Sequence, residues 1–244
     1  MTAPRGKTLV LIHGGLHGTW CWDRVLPPLR AAGHDVVVVE LPGRAGAVEG
    51  LTFDDYVDAI DARVPPASEP VVVVAHSLGA VAASQFAERR PEAISRMVLV
   101  NGLLTENGEA PLPKLQTAGE GCGLMRPGAL TFSDDGTVTA DYDAAVNAFY
   151  NRCEPSEAAW AAKHLCAEPI APLMTPMSIT AAGFGSVQKT YVGSRDDLVL
   201  PWTLQQSMAD SSGSELIWLD GDHSPWLSVP EAFLRCILTC AEIP

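Results

Sequence analysis

No apolar run in these 244 residues approaches the roughly 20 residues that a membrane span requires. The longest, such as residues 36–39 and 71–75, have the length of strands. A helical membrane protein is excluded on that ground, and no membrane partner is expected. Positive charge is also scarce. Lys and Arg number 16 against 29 Asp and Glu, a net charge of −13, so a phosphate backbone finds little to hold and nucleic acid is not expected as a partner. Charged residues of both signs make up only 18%, against 47% hydrophobic, which excludes a disordered chain. The six cysteines contain no Cys-x-x-Cys pair, so metal and redox motifs have no support. Cys236 and Cys240 share a helix face with Phe233 and Ile237, where free thiols act as small buried hydrophobes. The opening residues 1–7 lead straight into the short apolar run 9–12. That run is too short for a signal-peptide core, and the expected location is cytoplasmic.

What is present is an alternation. Short β-branched runs at residues 8–13, 36–40, 71–75, 97–101, 190–193 and 216–220 are nearly continuous hydrophobics. Strands buried on both faces read this way, which predicts a parallel sheet covered by helices on both sides. Between them lie helical stripes. Phe53, Tyr56, Val57, Ile60 and Val64 form one apolar face, with Thr52 as its cap and Pro65-Pro66 as its stop. Leu78, Val81, Ala82 and Phe86 form a second, ending in Arg89-Arg90 before Pro91. Val229, Phe233, Cys236, Ile237 and Cys240 form a third. The order predicts a doubly wound α/β fold.

Residues 103–175 break the alternation. They open with loop chemistry at Gly108, Pro111, Pro113 and Gly119. A turn follows at Ser133-Asp134-Asp135-Gly136, between short extended segments. Two helical stripes come next, one through Tyr142, Ala145, Val146, Phe149 and Tyr150, the other through Ala158, Ala161, Ala162 and Leu165. This stretch is expected to be a mainly helical lid, inserted into a core made of residues 1–102 and 176–244.

Ala75-His76-Ser77-Leu78-Gly79 stands where a buried strand meets a helix. A serine there sits on a sharp turn above the sheet edge, with a helix N-terminus behind it that favours developing negative charge. The turn is crowded, so small residues are needed two before and two after the serine, and Ala75 and Gly79 supply them. A nucleophilic serine needs a base, and the base needs a carboxylate to orient it. Of the six histidines, His223 is best placed, because it follows the run 216–219 through Asp220-Gly221-Asp222 and so reaches the same sheet edge. The acid is expected after another strand, where Asp196 and Asp197 both follow Tyr191 and Val192. Asp220 and Asp222 are expected to shape the turn before His223. An oxyanion also needs donors. The glycine-rich run His13-Gly14-Gly15-Leu16-His17-Gly18 can aim the N–H of Gly15 at the site, and the N–H of Leu78 supplies a second.

Together these residues resemble the α/β-hydrolase superfamily, over nearly the whole chain. His13-Gly14-Gly15-Leu16-His17-Gly18-Thr19-Trp20-Cys21-Trp22, followed by Leu29-Arg30-Ala31-Ala32-Gly33-His34, is similar to the start of the methylesterase and hydroxynitrile lyase group, including its bacterial esterases. In that group's pattern the triad aspartate stands four residues before a proline. Asp197 and Pro201 match this spacing, and Asp196 does not. The resemblance implies an α/β-hydrolase fold with about six parallel strands, a lid roofing the pocket, a Ser77-His223-Asp197 triad, and neither cofactor nor metal. Lyases of the group carry a threonine after the first His-Gly and a lysine after the catalytic histidine. Here Gly15 and Ser224 stand at those positions, and both favour an esterase. Ala75 and Ala80 depart from the usual glycines, and both are small.

The expected function is therefore a serine carboxylic-ester hydrolase, existing as monomer or homodimer. The apolar lid, with Phe149, Tyr150 and Trp160, points to small-to-medium hydrophobic or aryl esters, methyl esters and lactones among them. The alternatives are a cyanohydrin C–C lyase and a ligand-binding or tailoring protein without hydrolytic turnover.

Overall fold

The computed structural model describes residues 6–44, 48–65 and 69–243. The first five residues of the opening segment, and Pro66 of the expected helix stop, lie outside the described residues. The chain begins β1 (Thr8–Ile12), α1 (Leu26–Ala31), β2 (Asp35–Val39), α2 (Phe53–Asp61), β3 (Val71–His76), α3 (Leu78–Arg89), β4 (Ile94–Val100). Residues 101–188 then leave the sheet. They carry α4 (Pro111–Gln116), β5 (Leu130–Phe132), β6 (Thr137–Ala140), α5 (Tyr142–Phe149), α6 (Pro155–Lys163), β7 (Glu168–Pro169) and α7 (Ile170–Leu173). The chain returns as β8 (Lys189–Ser194), α8 (Trp202–Ser211), β9 (Glu215–Leu219), α9 (Pro225–Ser228) and α10 (Pro230–Glu242).

The six core strands pair in the order β2-β1-β3-β4-β8-β9, all parallel. This is the expected α/β-hydrolase fold. Side chains alternate between two buried faces, which explains why the strands read as unbroken hydrophobic runs. Val10, Ile12, Val71, Val73 and Ala75 pack with Phe53, Tyr56 and Phe86 of α2 and α3. Leu9, Leu11, Val72, Val74, Val98 and Val100 pack on the opposite face, with Trp22, Leu29, Phe233 and Ile237. Helix α2 starts at a capping box in which Thr52 and Asp55 bond reciprocally, satisfying first-turn N–H groups that have no intrahelical acceptor.

Strand β4 starts earlier than its apolar run suggests. Arg96 is buried there, donating to Thr190 Oγ1 at 3.0 Å and Gln188 Oε1 at 2.8 Å. A charged residue with partners inside the sheet hid three residues of strand. The segment 101–188 is less helical than expected. The turn at Ser133-Asp134-Asp135-Gly136 joins β5 and β6 as foreseen, with Gly136 at φ 81° and Asp135 Oδ1 accepting from Thr137 N at 3.1 Å. A third strand, β7, pairs antiparallel with β6 and completes a small sheet. At two residues, one of them proline, β7 has no sequence pattern of its own. Proline opens α4 and α6, the position where its missing N–H costs least.

Helix α3 lies so close to the end of β1 that position 79 has no room for a side chain. A methyl group on Gly79 would overlap the carbonyl oxygen of His13 and touch Ile12. Gly79→Ala is therefore expected to cost about 1–3 kcal/mol of stability, as over-packing does. A denaturant titration checks this, and an unchanged midpoint would count against so tight an approach.

Candidate active site

Strands β1 and β3 are neighbours, but their following segments pack on opposite faces of the sheet. That divergence opens a crevice at the carboxyl ends of the two strands. The backbone turns there at Ser77, with φ 50° and ψ −121°. A non-glycine residue in such a conformation costs on the order of 1–3 kcal/mol, so its neighbours must hold it. They do so through three hydrogen bonds. Ser77 N donates to Val100 O at 3.1 Å, and Ser77 O accepts from Ala80 N at 2.9 Å and Leu103 N at 3.0 Å. Leu78 opens α3, where its N–H has no intrahelical acceptor.

The β1 loop presses on this turn. A Cβ on Gly14 would lie 2.6 Å from His76 Nδ1 and 2.9 Å from the Ser77 Cβ, and one on Gly15 would lie 3.3 Å from Leu78 Cδ2. Gly14 to His17 form a tight turn, closed by His17 N donating to Gly14 O at 3.3 Å, with Leu16 at φ 62°.

His223 and Asp197 meet behind the crevice. His223 Nδ1 donates to Asp197 Oδ2 at 2.8 Å, with both side chains buried. Asp197 is held by further donors: Val199 N at 2.7 Å and Leu200 N at 2.9 Å on Oδ1, and Gln205 Nε2 at 3.3 Å on Oδ2. Asp196 takes no part. Its carboxylate, 44% exposed, pairs with Arg152 at 2.7 Å. Asp222 shapes the turn before His223, as expected, accepting from Ser224 N at 2.9 Å and Arg152 N at 2.9 Å. His223 Nε2 is buried and accepts no hydrogen bond among the described residues. His76 steadies the same loop by donating from Nε2 to His223 O at 2.9 Å.

Ser77, Gly15 and Leu78 line one cavity with about 620 Å³ of empty space, its open mouth included. The remaining wall is nearly all apolar and comes largely from residues 101–188: Leu112, Leu115, Leu124, Leu130, Phe149 and Leu173. His223 does not line it, but its ring packs at 5.5 Å on Phe149, which does. Two other aromatics of the segment have different work. Tyr150 donates its hydroxyl to His17 Nε2 at 2.9 Å, and Trp160 packs edge-on to Trp20 at 5.4 Å.

Glu168, the one charged wall residue among the described residues, escaped the sequence reading, as did its partner Arg44. Both Glu168 oxygens bind Arg44, at 2.6 Å each; Tyr56 donates to Oε1 at 2.6 Å and Leu16 N to Oε2 at 2.7 Å. Burial works to lower the Arg44 guanidinium, but the facing Glu168 charge more than reverses it and keeps Arg44 protonated. The only trace in sequence is an acidic residue beside Pro169 and Ile170, inside an apolar stretch. No group of three or more His, Cys, Asp or Glu side chains among the described residues is placed to hold a metal ion.

The model of the alpha/beta hydrolase family matches residues 9–235, and the chain belongs to that family. It is 28% identical over 248 residues to putative methylesterase 11, chloroplastic, of Arabidopsis thaliana, across 96% of this chain. The match spans 64% of that relative's length. It is also 28% identical to methyl jasmonate esterase 1 of Vitis vinifera, over 93% of each chain. Among solved structures, a pyrethroid hydrolase from Sphingobium faniae JZ-2 superposes with a TM-score of 0.84 at 23% identity, covering 98% of each chain.

Burial also makes the site acid-sensitive. It holds His17 down to about 3, against the opposing bond to Gly15 O, and holds His76 well below the ordinary histidine value, with His223 adding to the effect. Both stay neutral in the folded chain but take up protons in the unfolded one below about pH 6.5. Stability is therefore full above that pH and lost as pH falls toward the folded values. Unfolding titrations should show a loss of about 2 kcal/mol from His17 alone between pH 7 and pH 5, with His76 acting in the same direction. Equal stability at the two pH values would contradict neutral burial.

Proposed function

We propose that the chain is a serine carboxylic-ester hydrolase. The observation that carries this reading is the buried His223–Asp197 pair, 2.8 Å apart and with Nε2 left bare, beside a strained Ser77 at an apolar cavity. Ser77 Oγ attacks the ester carbonyl carbon while His223 Nε2 takes its proton. In the resting geometry Nε2 bonds to none of the described residues, and such catalytic contacts tighten when substrate binds. Asp197 fixes the tautomer and stabilises the imidazolium. The N–H groups of Gly15 and Leu78 receive the oxyanion, and each such donor contributes about 10²–10³ in kcat. Collapse returns the proton to the departing alcohol and leaves an acyl-serine. Water, deprotonated by His223, then releases the acid and restores Ser77.

Residues 103–175 act as the lid of a core formed by residues 1–102 and 176–244. The lid's leucines and Phe149 suit small-to-medium hydrophobic or aryl esters, methyl esters and lactones among them. Glu168, the one charged wall residue among the described residues, is paired with Arg44, which suits an uncharged substrate. The names of the Arabidopsis and grapevine relatives support an ester substrate. The lyase alternative wants a cation beside the histidine, whereas Ser224 stands there and neither Lys nor Arg lines the cavity among the described residues. No described helix is long and apolar enough to cross a membrane.

Treatment with an organophosphonate followed by peptide mass spectrometry is expected to place one adduct on Ser77, and p-nitrophenyl acetate and butyrate should turn over faster than a long-chain ester. No adduct on folded protein would overturn the serine mechanism, and a preference for the long chain would overturn the size assignment. Asp197→Asn should lower kcat by about 10⁴, as loss of the orienting carboxylate does in triads of this type. Asp196→Asn, altered at an exposed pair, should change it by less than about twofold. Steady-state kinetics on both variants checks the assignment, which fails if the two effects are reversed.

A further inference from the structure

We propose that Glu168 is a positioning residue for the oxyanion-binding loop, so that the inserted segment sets the catalytic geometry of the core as well as roofing it. The proposal rests on the ester-hydrolase reading for its catalytic consequence, but its structural part stands on the loop alone.

The turn from Gly14 to His17 carries Leu16 at φ 62°. Turns of this shape usually place glycine or asparagine there, because a Cβ in the left-handed region costs about 1–2 kcal/mol. Something must hold leucine in place. The peptide joining Gly15 to Leu16 is held at both ends: His17 Nδ1 donates to Gly15 O at 2.8 Å, and Leu16 N donates to Glu168 Oε2 at 2.7 Å. The next carbonyl, Leu16 O, accepts from Cys166 N at 2.9 Å, also from the insertion. Rotation of the held peptide would relieve the strain at Leu16. It would also change ψ of Gly15, the residue whose own N–H faces the oxyanion. Pinning the Gly15–Leu16 peptide therefore fixes the shape of the turn that carries Gly15 N–H.

Glu168 is well made for this work. Its two oxygens accept four bonds in all, from Leu16 N, Tyr56 Oη and both terminal nitrogens of Arg44. The side chains of Glu168 and Arg44 are 2% and 8% exposed, so the clamp is shielded from competing water. The guanidinium also balances the carboxylate charge, which would otherwise repel an oxyanion forming close to Gly15. A simple core-to-lid ion pair would need no bond to Leu16. That bond, bridging 152 positions of sequence, is what points to the loop.

The test compares wild type with Glu168→Gln and with the double variant Arg44→Gln/Glu168→Gln, which avoids leaving a buried cation unpaired. On p-nitrophenyl acetate, kcat should fall at least about tenfold in both variants with KM within about twofold, short of the 10²–10³ lost when a donor is removed outright. A trifluoromethyl ketone that forms a tetrahedral adduct on Ser77 should bind more weakly by a similar factor. In ¹⁵N-labelled protein, exchange of the Leu16 amide proton should speed up in both variants relative to amides of the β3–β4 pair. Unchanged kcat together with a lowered Tm would overturn the proposal and leave Glu168 a structural ion pair. Unchanged Leu16 exchange would overturn it as well. If wild type hydrolyses no ester, the ester-hydrolase reading fails, while Leu16 exchange still decides whether Glu168 holds the loop.

Discussion

The backbone break at the end of β3 is the constraint on which the rest of the site depends. A strand buried on both faces must pass into α3 within one residue, and Ser77 absorbs that change at φ 50°. The strain persists because the surroundings over-determine it. The end of β4 receives the Ser77 N–H, the turn after β4 donates back to the Ser77 carbonyl, and Gly79 lets α3 lie against β1. Each of these contacts comes from a parallel neighbour in the sheet. A half-buried serine above the sheet edge is thus a product of strand order, and it comes with the β1 loop on one side and the first turn of a helix behind it.

Around that turn, the buried carboxylates are spent on structure. Asp197 accepts from two backbone N–H groups, a glutamine and His223, and Glu168 accepts four bonds. His223 Nε2 is buried with no partner among the described residues, as are His76 Nδ1 and Ser224 Oγ beside it. In the proposed mechanism His223 Nε2 takes the Ser77 proton, since the other ring nitrogen is committed to Asp197. The apolar wall strengthens such a site, because charges forming there are poorly screened by water. The insertion supplies most of that wall, and through Glu168 and Cys166 it also grips the loop from β1.

Much of the core was legible because burial on two faces leaves an unmistakable composition. The six strands stand out as β-branched runs, and β4 was read three residues short at its start, since Arg96 finds partners inside the sheet. The insertion was less legible. Its turn at Asp135 and its two longer helices follow local rules, whereas β7 is a strand only because β6 lies beside it. Tyr142, placed on the apolar stripe of α5, is 44% exposed, because the helix meets its neighbours only further along. Neither Arg44 nor Glu168 carried a readable signal, since a single charge looks the same in sequence whether it faces water or a buried partner.

What the sequence by itself determined were the features written in local pattern: the alternation of strands and helices, the small residues flanking Ser77, the glycines of the β1 loop and a histidine just past the last strand. It also narrowed the acid to two adjacent aspartates. The family resemblance favoured Asp197, and tertiary structure gives the two different surroundings, since adjacent residues on a turn point to opposite sides: Asp197 meets His223 and backbone donors in the interior while Asp196 meets Arg152 in solvent. Tertiary structure also decided that Glu168 should reach Leu16 across the whole fold. Local sequence records which conformations are cheap, whereas partners far apart in the chain are chosen by how the layers pack.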